Sequence, residues 1–132
     1  MPCMPAMINN HQVCLEFAKA VPAQIQGLSN KKSIPDDYAL VFDTASLGKG
    51  KAVFFTMSGM KFPIDIIFVK NNKILLIEYN VKPCKTTPDK CQVFGGFPVD
   101  MVLETKVGNV SKWGIQMFQQ FNVINNTKVS KK

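Results

Sequence analysis

Arginine is absent from this chain of 132 residues. All sixteen basic side chains are lysines, set against nine carboxylates, so the net charge of +7 is carried by ammonium groups alone. Without guanidinium forks the protein makes no bidentate contact to phosphate, carboxylate or guanine. The lysines are also scattered; only Lys31-Lys32, Lys49/Lys51 and the Lys128/Lys131/Lys132 group cluster. The expectation is a basic, lysine-rich surface with weak, salt-sensitive attraction to polyanions and no sequence-specific nucleic-acid binding.

Other shortages narrow the chemistry. The one histidine, His11, lies near the start of the chain, whereas a Ser-His-Asp or Cys-His site needs that residue inside a cleft. The four cysteines, Cys3, Cys14, Cys84 and Cys91, form no C-x-x-C pair, and one histidine adds little to a zinc set. No G-x-x-x-x-G-K-[ST] or G-x-G-x-x-G cradle is present; Gly48-Lys49-Gly50 and Gly95-Gly96 read as turns. Hence no catalytic residue, metal or cofactor is assigned. No apolar run approaches the ~18–20 residues of a membrane-spanning helix, so no membrane span is expected. The opening MPCMPAMINN has neither a basic n-region nor an apolar h-region, so no secretory signal is expected and the default location is cytoplasmic. In that compartment disulfides are uncommon, and Cys3 and Cys14 are expected to be free thiols because Cys3 lies in a loose N-terminal arm.

What is present is β-pattern. Hydrophobic residues make up 46% of the chain, enough to bury a core in one domain. Val13, Leu15 and Phe17 alternate with Gln12, Cys14 and Glu16, the signature of a half-buried strand. PAQIQGL from Pro22 reads as a short helical turn, YALVFD from Tyr38 as a strand and SLGKG from Ser46 as a turn. AVFFTM from Ala52, PIDIIFVK from Pro63 and KILLIEYN from Lys73 follow as strands. The last two are joined by an Asn71-Asn72 hairpin turn, since asparagine tolerates positive φ. MVLETKV from Met101 is a strand with Val102 and Glu104 on one face, Gly108 to Gly114 a short helix, and Phe118 to Asn125 a last strand. The fold class is therefore all-β: a compact antiparallel β-sandwich or barrel of about seven or eight short strands with one or two short helices. Residues 1–10 read as a flexible arm, 11–125 as a single β domain and 126–132 as a polar tail.

Two local features stand out. Asp65 lies within PIDIIF, apolar on both faces, so its carboxylate must reach solvent, a lysine or backbone N–H groups. The expected donors are the amides of the Ser58–Lys61 loop or a lysine. Cys84 and Cys91 enclose K-T-T-P-D-K as structural thiols or a disulfide, with redox chemistry and metal binding as the alternatives. A bridge there would close a loop of about eight residues, worth roughly 2.5 kcal/mol by chain entropy.

The middle of the chain resembles the family of small bacterial and archaeal proteins known as domain of unknown function one hundred and ninety-two. The corresponding stretches are Gln26-Gly27-Leu28, Tyr38 to Phe42, Phe55 to Phe68, Lys82-Pro83-Cys84 with Cys91, Val102-Leu103-Glu104, and Gly108. Their order and spacing match from about residue 12 to residue 115. The family's Trp-Met-Lys-Asn run is replaced by Thr56-Met57-Ser58-Gly59, its Arg before Gly-Leu by Gln26, and its Asn-Ala-Gly by Lys106-Val107-Gly108. The resemblance implies a compact all-β fold, and its matching cysteine pair, with the short proline-containing loop, places Cys84 and Cys91 close enough to bridge, with Cα atoms within ~7 Å. It implies no activity.

Together these readings give the expectation of a non-catalytic β module for binding or assembly, its partner another protein in an assembly such as a virion or envelope complex. The alternative is a small-molecule or carbohydrate binder with a cleft near Met57, Asp65 and Glu104. An enzyme of unknown chemistry is the third reading.

Overall fold

The computed structural model describes residues 3–18, 27–29, 31–44, 52–121 and 123–125. Its strands are β1 (Met4–Ile8), β2 (His11–Ala18), β3 (Tyr38–Asp43), β4 (Ala52–Phe55), β5 (Ile64–Lys70), β6 (Lys73–Val81), β7 (Phe94–Pro98), β8 (Met101–Lys106) and β9 (Val123–Asn125). One α-helical turn, α1 (Asn109–Lys112), follows β8, and a 3₁₀ turn covers Pro88–Lys90. Seven strands form one sheet in the order β6-β5-β8-β3-β2-β1-β9, and β4 pairs with β7 as a separate two-stranded layer. The all-β expectation holds. The sheet does not close into a barrel, because its terminal strands β6 and β9 are not neighbours. Nor is it wholly antiparallel: β2 and β3 run parallel.

The expected N-terminal arm is instead strand β1. Asn9 and Asn10 take φ of 49° and 67° and turn the chain tightly back, so that Ala6 faces Val13 and Ile8 faces His11. The Asn71-Asn72 turn has the same geometry, with φ of 52° and 61°. Pro5 is tolerated because β9 pairs only with Ala6 to Ile8, so no ladder bond is lost on that side. The arm is held further by a disulfide between Cys3 and Cys14, Cα atoms 5.3 Å apart, which replaces the free thiols expected.

Gly95-Gly96, read as a turn, lies inside β7. The register between β4 and β7 slips at Val53/Phe54, and a Cβ on Gly95, whose φ is +91°, would sit 2.4 Å from the Val53 carbonyl oxygen. Glycine therefore makes an irregular crossing of two strands possible rather than ending one. The turn expected from Ser46, most of the helical turn expected from Pro22 and the tail at 126–132 lie outside the described residues.

Alternation along the strands divides the interior into two cores. On one face Val13, Leu15, Ala39, Val41, Ile67 and Leu103 pack under Val110, Trp113, Ile115 and Phe121. This is the helix face, closed by α1 and the segment after it. On the other, Tyr38, Leu40, Phe42, Ile64, Ile66, Phe68 and Val102 pack against Val53, Met57, Met60, Phe94 and Phe97. This is the hairpin face, covered by the β4-β7 layer and the loops beside it.

Candidate functional site: the hairpin face

The three residues proposed from sequence do not line one cleft. Asp65 sits between Ile64 and Ile66, which point to the hairpin face, so its own side chain points to the helix face. There it is 2% exposed and spans two elements: the Asn80 amide donates to Oδ1 at 2.8 Å and the Gly108 amide donates to Oδ2 at 3.1 Å. Both donors belong to left-handed residues, with φ of 49° and 98°. Asn80 lies where β6 bulges, as the β5-β6 register shifts between Ile64 and Ile66. Asp65 thus pins a bulge in β6 to the start of α1. The expected donor type, backbone N–H, is right, but the donors are not those of the Ser58–Lys61 loop. That loop lies on the hairpin face and cannot meet a side chain pointing the other way.

Glu104 points to the hairpin face with Val102, as read from the alternation of β8. Across the sheet it stands opposite Leu40 on one side and Ile66 on the other, and Leu40 in turn stands opposite Glu16. Glu104 is 5% exposed, and its Oε1 has no hydrogen-bond partner. Burial alone pushes its carboxyl up to about 8, so at neutral pH it is mostly the neutral acid. Two residues along β3 from Leu40, the Tyr38 hydroxyl donates to Glu16 Oε1 at 2.5 Å. Burial, then that bond, then the charges of Glu16 and Glu104 raise the Tyr38 phenol above its ordinary range. Glu16, Tyr38 and Glu104 therefore form a polar row in an otherwise apolar face. Sequence inspection singled out Glu104 but missed Tyr38 and Glu16, because only the parallel pairing of β2 with β3 brings them alongside.

Met57, buried at 2%, belongs to a surface groove. A cavity of about 490 Å³ runs along the last residues of β6, from Glu78 to Val81, and is completed by Met57, Lys82, Pro83, Cys84, Gln92 and Phe94. A second hollow of about 390 Å³ continues past Pro83 and Cys84 to Gly59, Met60, Lys61, Lys85 and Thr86. The shared wall is fixed covalently. Cys84 and Cys91 lie within the bridging reach expected, with Cα atoms 5.9 Å apart, and are joined as a disulfide. The Cys84 amide also donates to the Met57 carbonyl at 3.0 Å. Among the described residues no group of three or more His, Cys, Asp or Glu is placed to hold a metal ion.

A family model described as Uncharacterized ACR, COG1430 (DUF192) matches residues 4–123. The chain belongs to this family. Within DUF192 no activity is defined, so membership fixes the fold and leaves the site to be argued from its own residues. Two crystal structures are similar. A protein of unknown function from Novosphingobium aromaticivorans DSM 12444 is 24% identical with a TM-score of 0.71, over 89% of this chain and 83% of that one. A putative transcription regulator from Sinorhizobium meliloti 1021 is 21% identical with a TM-score of 0.72, over 92% of each chain. At these identities the likeness is one of fold. No protein of curated function matches the sequence.

Proposed function

We propose that this DUF192 protein is a non-catalytic module that binds a partner protein through the hairpin face. The observation that carries the reading is the groove of about 490 Å³ along the end of β6, with apolar Met57, Val81 and Phe94 among its lining and lysines beside it. Asp65, the other carboxylate buried in the sheet, is committed to two backbone amides and leaves the groove to these residues. A grafted surface of this kind suits assembly, where apolar contact gives affinity and flanking charge gives selectivity. The lysine-only charge favours weak, salt-sensitive contact with polyanions over recognition of a DNA sequence. None of the helices in the described residues is long and apolar enough to cross a membrane.

A second reading, small-molecule or carbohydrate binding, is favoured by one observation: the unpartnered Oε1 of Glu104 beside the Tyr38–Glu16 pair. Buried polar atoms are normally bonded, and a ligand hydroxyl or amine would satisfy this one. Methionine methyl NMR separates the two. Met57 lies in the groove, while Met4 and Met117 are exposed elsewhere and serve as internal controls. In titrations with peptide pools and with sugar and amine panels, the first reading expects a peptide to move the Met57 resonance and leave Met4 and Met117 unmoved. Peptides that move only Met4 or Met117 would overturn it. Binding of a sugar or amine that is abolished by Glu104→Gln would establish the second.

A further inference from the structure

β6 is a terminal strand whose outer side is treated differently along its length. At its start the segment after α1 covers it. The Ile74 amide donates to the Gln119 carbonyl at 2.9 Å, and the amides of Phe118 and Phe121 donate to the carbonyls of Ile74 and Asn72, each at 2.7 Å. Beyond Ile74 no strand among the described residues pairs with the outer side of β6. That uncovered stretch carries Leu75, 37% exposed, and Tyr79, 55% exposed. It runs into the groove and then into the second hollow, since both share Pro83 and Cys84. An open strand edge is a template for another chain.

Building on the binding reading above, we infer that the edge of β6 from Leu75 to Val81 takes an extended, acidic segment of another protein as an added strand. The charge around the two hollows selects the occupant. Lys61, Lys82 and Lys85 line them against the single carboxylate of Glu78. A second copy of this chain, itself at +7, would bring lysines to lysines. An acidic strand meets them with opposite charge. Main-chain hydrogen bonds to β6 supply register, and alternate side chains meet different surroundings. One set enters the groove at Met57, Val81 and Phe94, and carboxylates further along lie over Lys61 and Lys85. The bulge at Asn80, pinned by Asp65, interrupts the strand and limits the regular pairing to a few residues. The occupant is therefore short, and its selectivity comes from charge.

The probe is a blocked, dye-labelled eight-residue peptide alternating valine with aspartate, followed by fluorescence anisotropy at low and moderate salt. Three comparisons accompany it: the same peptide with lysine for aspartate, the same peptide N-methylated on the amides of one edge, and the protein variant Lys61→Glu with Lys85→Glu. Lys61 and Lys85 are both exposed, so the variant folds. The acidic peptide is expected to bind, more weakly as salt rises, and its lysine counterpart to bind about tenfold less tightly, equivalent to ~1.4 kcal/mol. N-methylation on the pairing edge abolishes binding, and the double variant exchanges the preference from the acidic to the basic peptide. Equal affinity for the N-methylated peptide, equal affinity for the basic peptide, or no binding up to millimolar peptide would each overturn strand addition. So would a dimer of the protein that the peptide fails to displace. If the N-methylated peptide binds as well as its parent and still moves the Met57 methyl, strand addition falls while the groove reading stands. If neither peptide moves Met57, both fall.

Discussion

The two faces of the seven-stranded sheet solve the same problem in opposite ways. On the helix face every buried polar side chain among the described residues is answered. Asp65 accepts two amides, Thr105 donates to the Tyr38 carbonyl at 2.6 Å, and Asn109 donates to Thr105 at 2.9 Å. Above them Trp113, fully buried, donates its indole N–H to Asp37 at 3.0 Å. Lys112 closes on the same carboxylate at 2.9 Å, and these two bonds hold Asp37 below the usual carboxylate range. On the hairpin face Glu104 is buried with an orphan oxygen, and Met57, Val81 and Phe94 of that face line the groove. A face whose polar groups are all satisfied has been closed for stability. A face that keeps an unsatisfied carboxyl and an open groove has capacity left for something else.

The largest expected effects lie on the closed face. Trp113→Ala removes the largest fully buried side chain and its bond to Asp37, and should cost about 4 kcal/mol in denaturant unfolding. Asp65→Ala leaves the amides of Asn80 and Gly108 without acceptors and should cost about 3 kcal/mol. Asp65→Asn keeps one acceptor and should cost less. An Asp65→Ala protein as stable as the parent would contradict the contrast between the faces.

Glu104 gives a pH signature. Burial pushes its carboxyl from the ordinary 4.5 up to about 8, so the folded state holds the proton more tightly than the unfolded state. Stability is then fully present below about 4.5 and declines as pH rises toward about 8. The decline is at most about 1.4 kcal/mol per pH unit while the folded state is protonated and the unfolded state ionised. Glu104→Gln should flatten this part of the profile. An unchanged profile in the variant would place the decline elsewhere. The smallest effect belongs to Lys61→Glu with Lys85→Glu, two exposed side chains whose replacement should shift stability by no more than about 0.5 kcal/mol while changing what binds.

Much of the sheet was legible because alternation is local. His11 to Phe17 and the two faces of Met101 to Thr105 follow from side-chain period, whereas Tyr38 to Asp43 and Lys73 to Asn80 are read as strands from short, largely apolar runs rich in β-formers. The turn at Asn9-Asn10 carried the same dipeptide signal as Asn71-Asn72. It was obscured by the short strand before it, where Pro5 and exposed Met4 break the pattern and only Ala6 and Ile8 are buried. Missing β1 also hid the Cys3–Cys14 bridge, because the hairpin is what brings those two residues together. Of the three residues named together from the sequence, Met57 and Glu104 share a face, while strand parity turns Asp65 away to the other. The Glu16–Tyr38 pair and the continuity of β6 with the Cys84–Cys91 loop depend on strand order and non-local pairing. No local pattern in the chain encodes them.

The central claim, that the hairpin side of the molecule presents an open strand edge beside its groove, is tested most directly by residue-resolved amide hydrogen exchange on the free protein. The account predicts slow exchange at Ile74, Phe118, Phe121 and Trp113, whose amides are bonded. It predicts fast exchange at the β6 amides after Ile74 that do not face β5, with those same amides becoming slow when the acidic peptide is added. Uniformly slow exchange from Leu75 to Val81 in the free protein would mean that the edge is already covered, and would contradict the account.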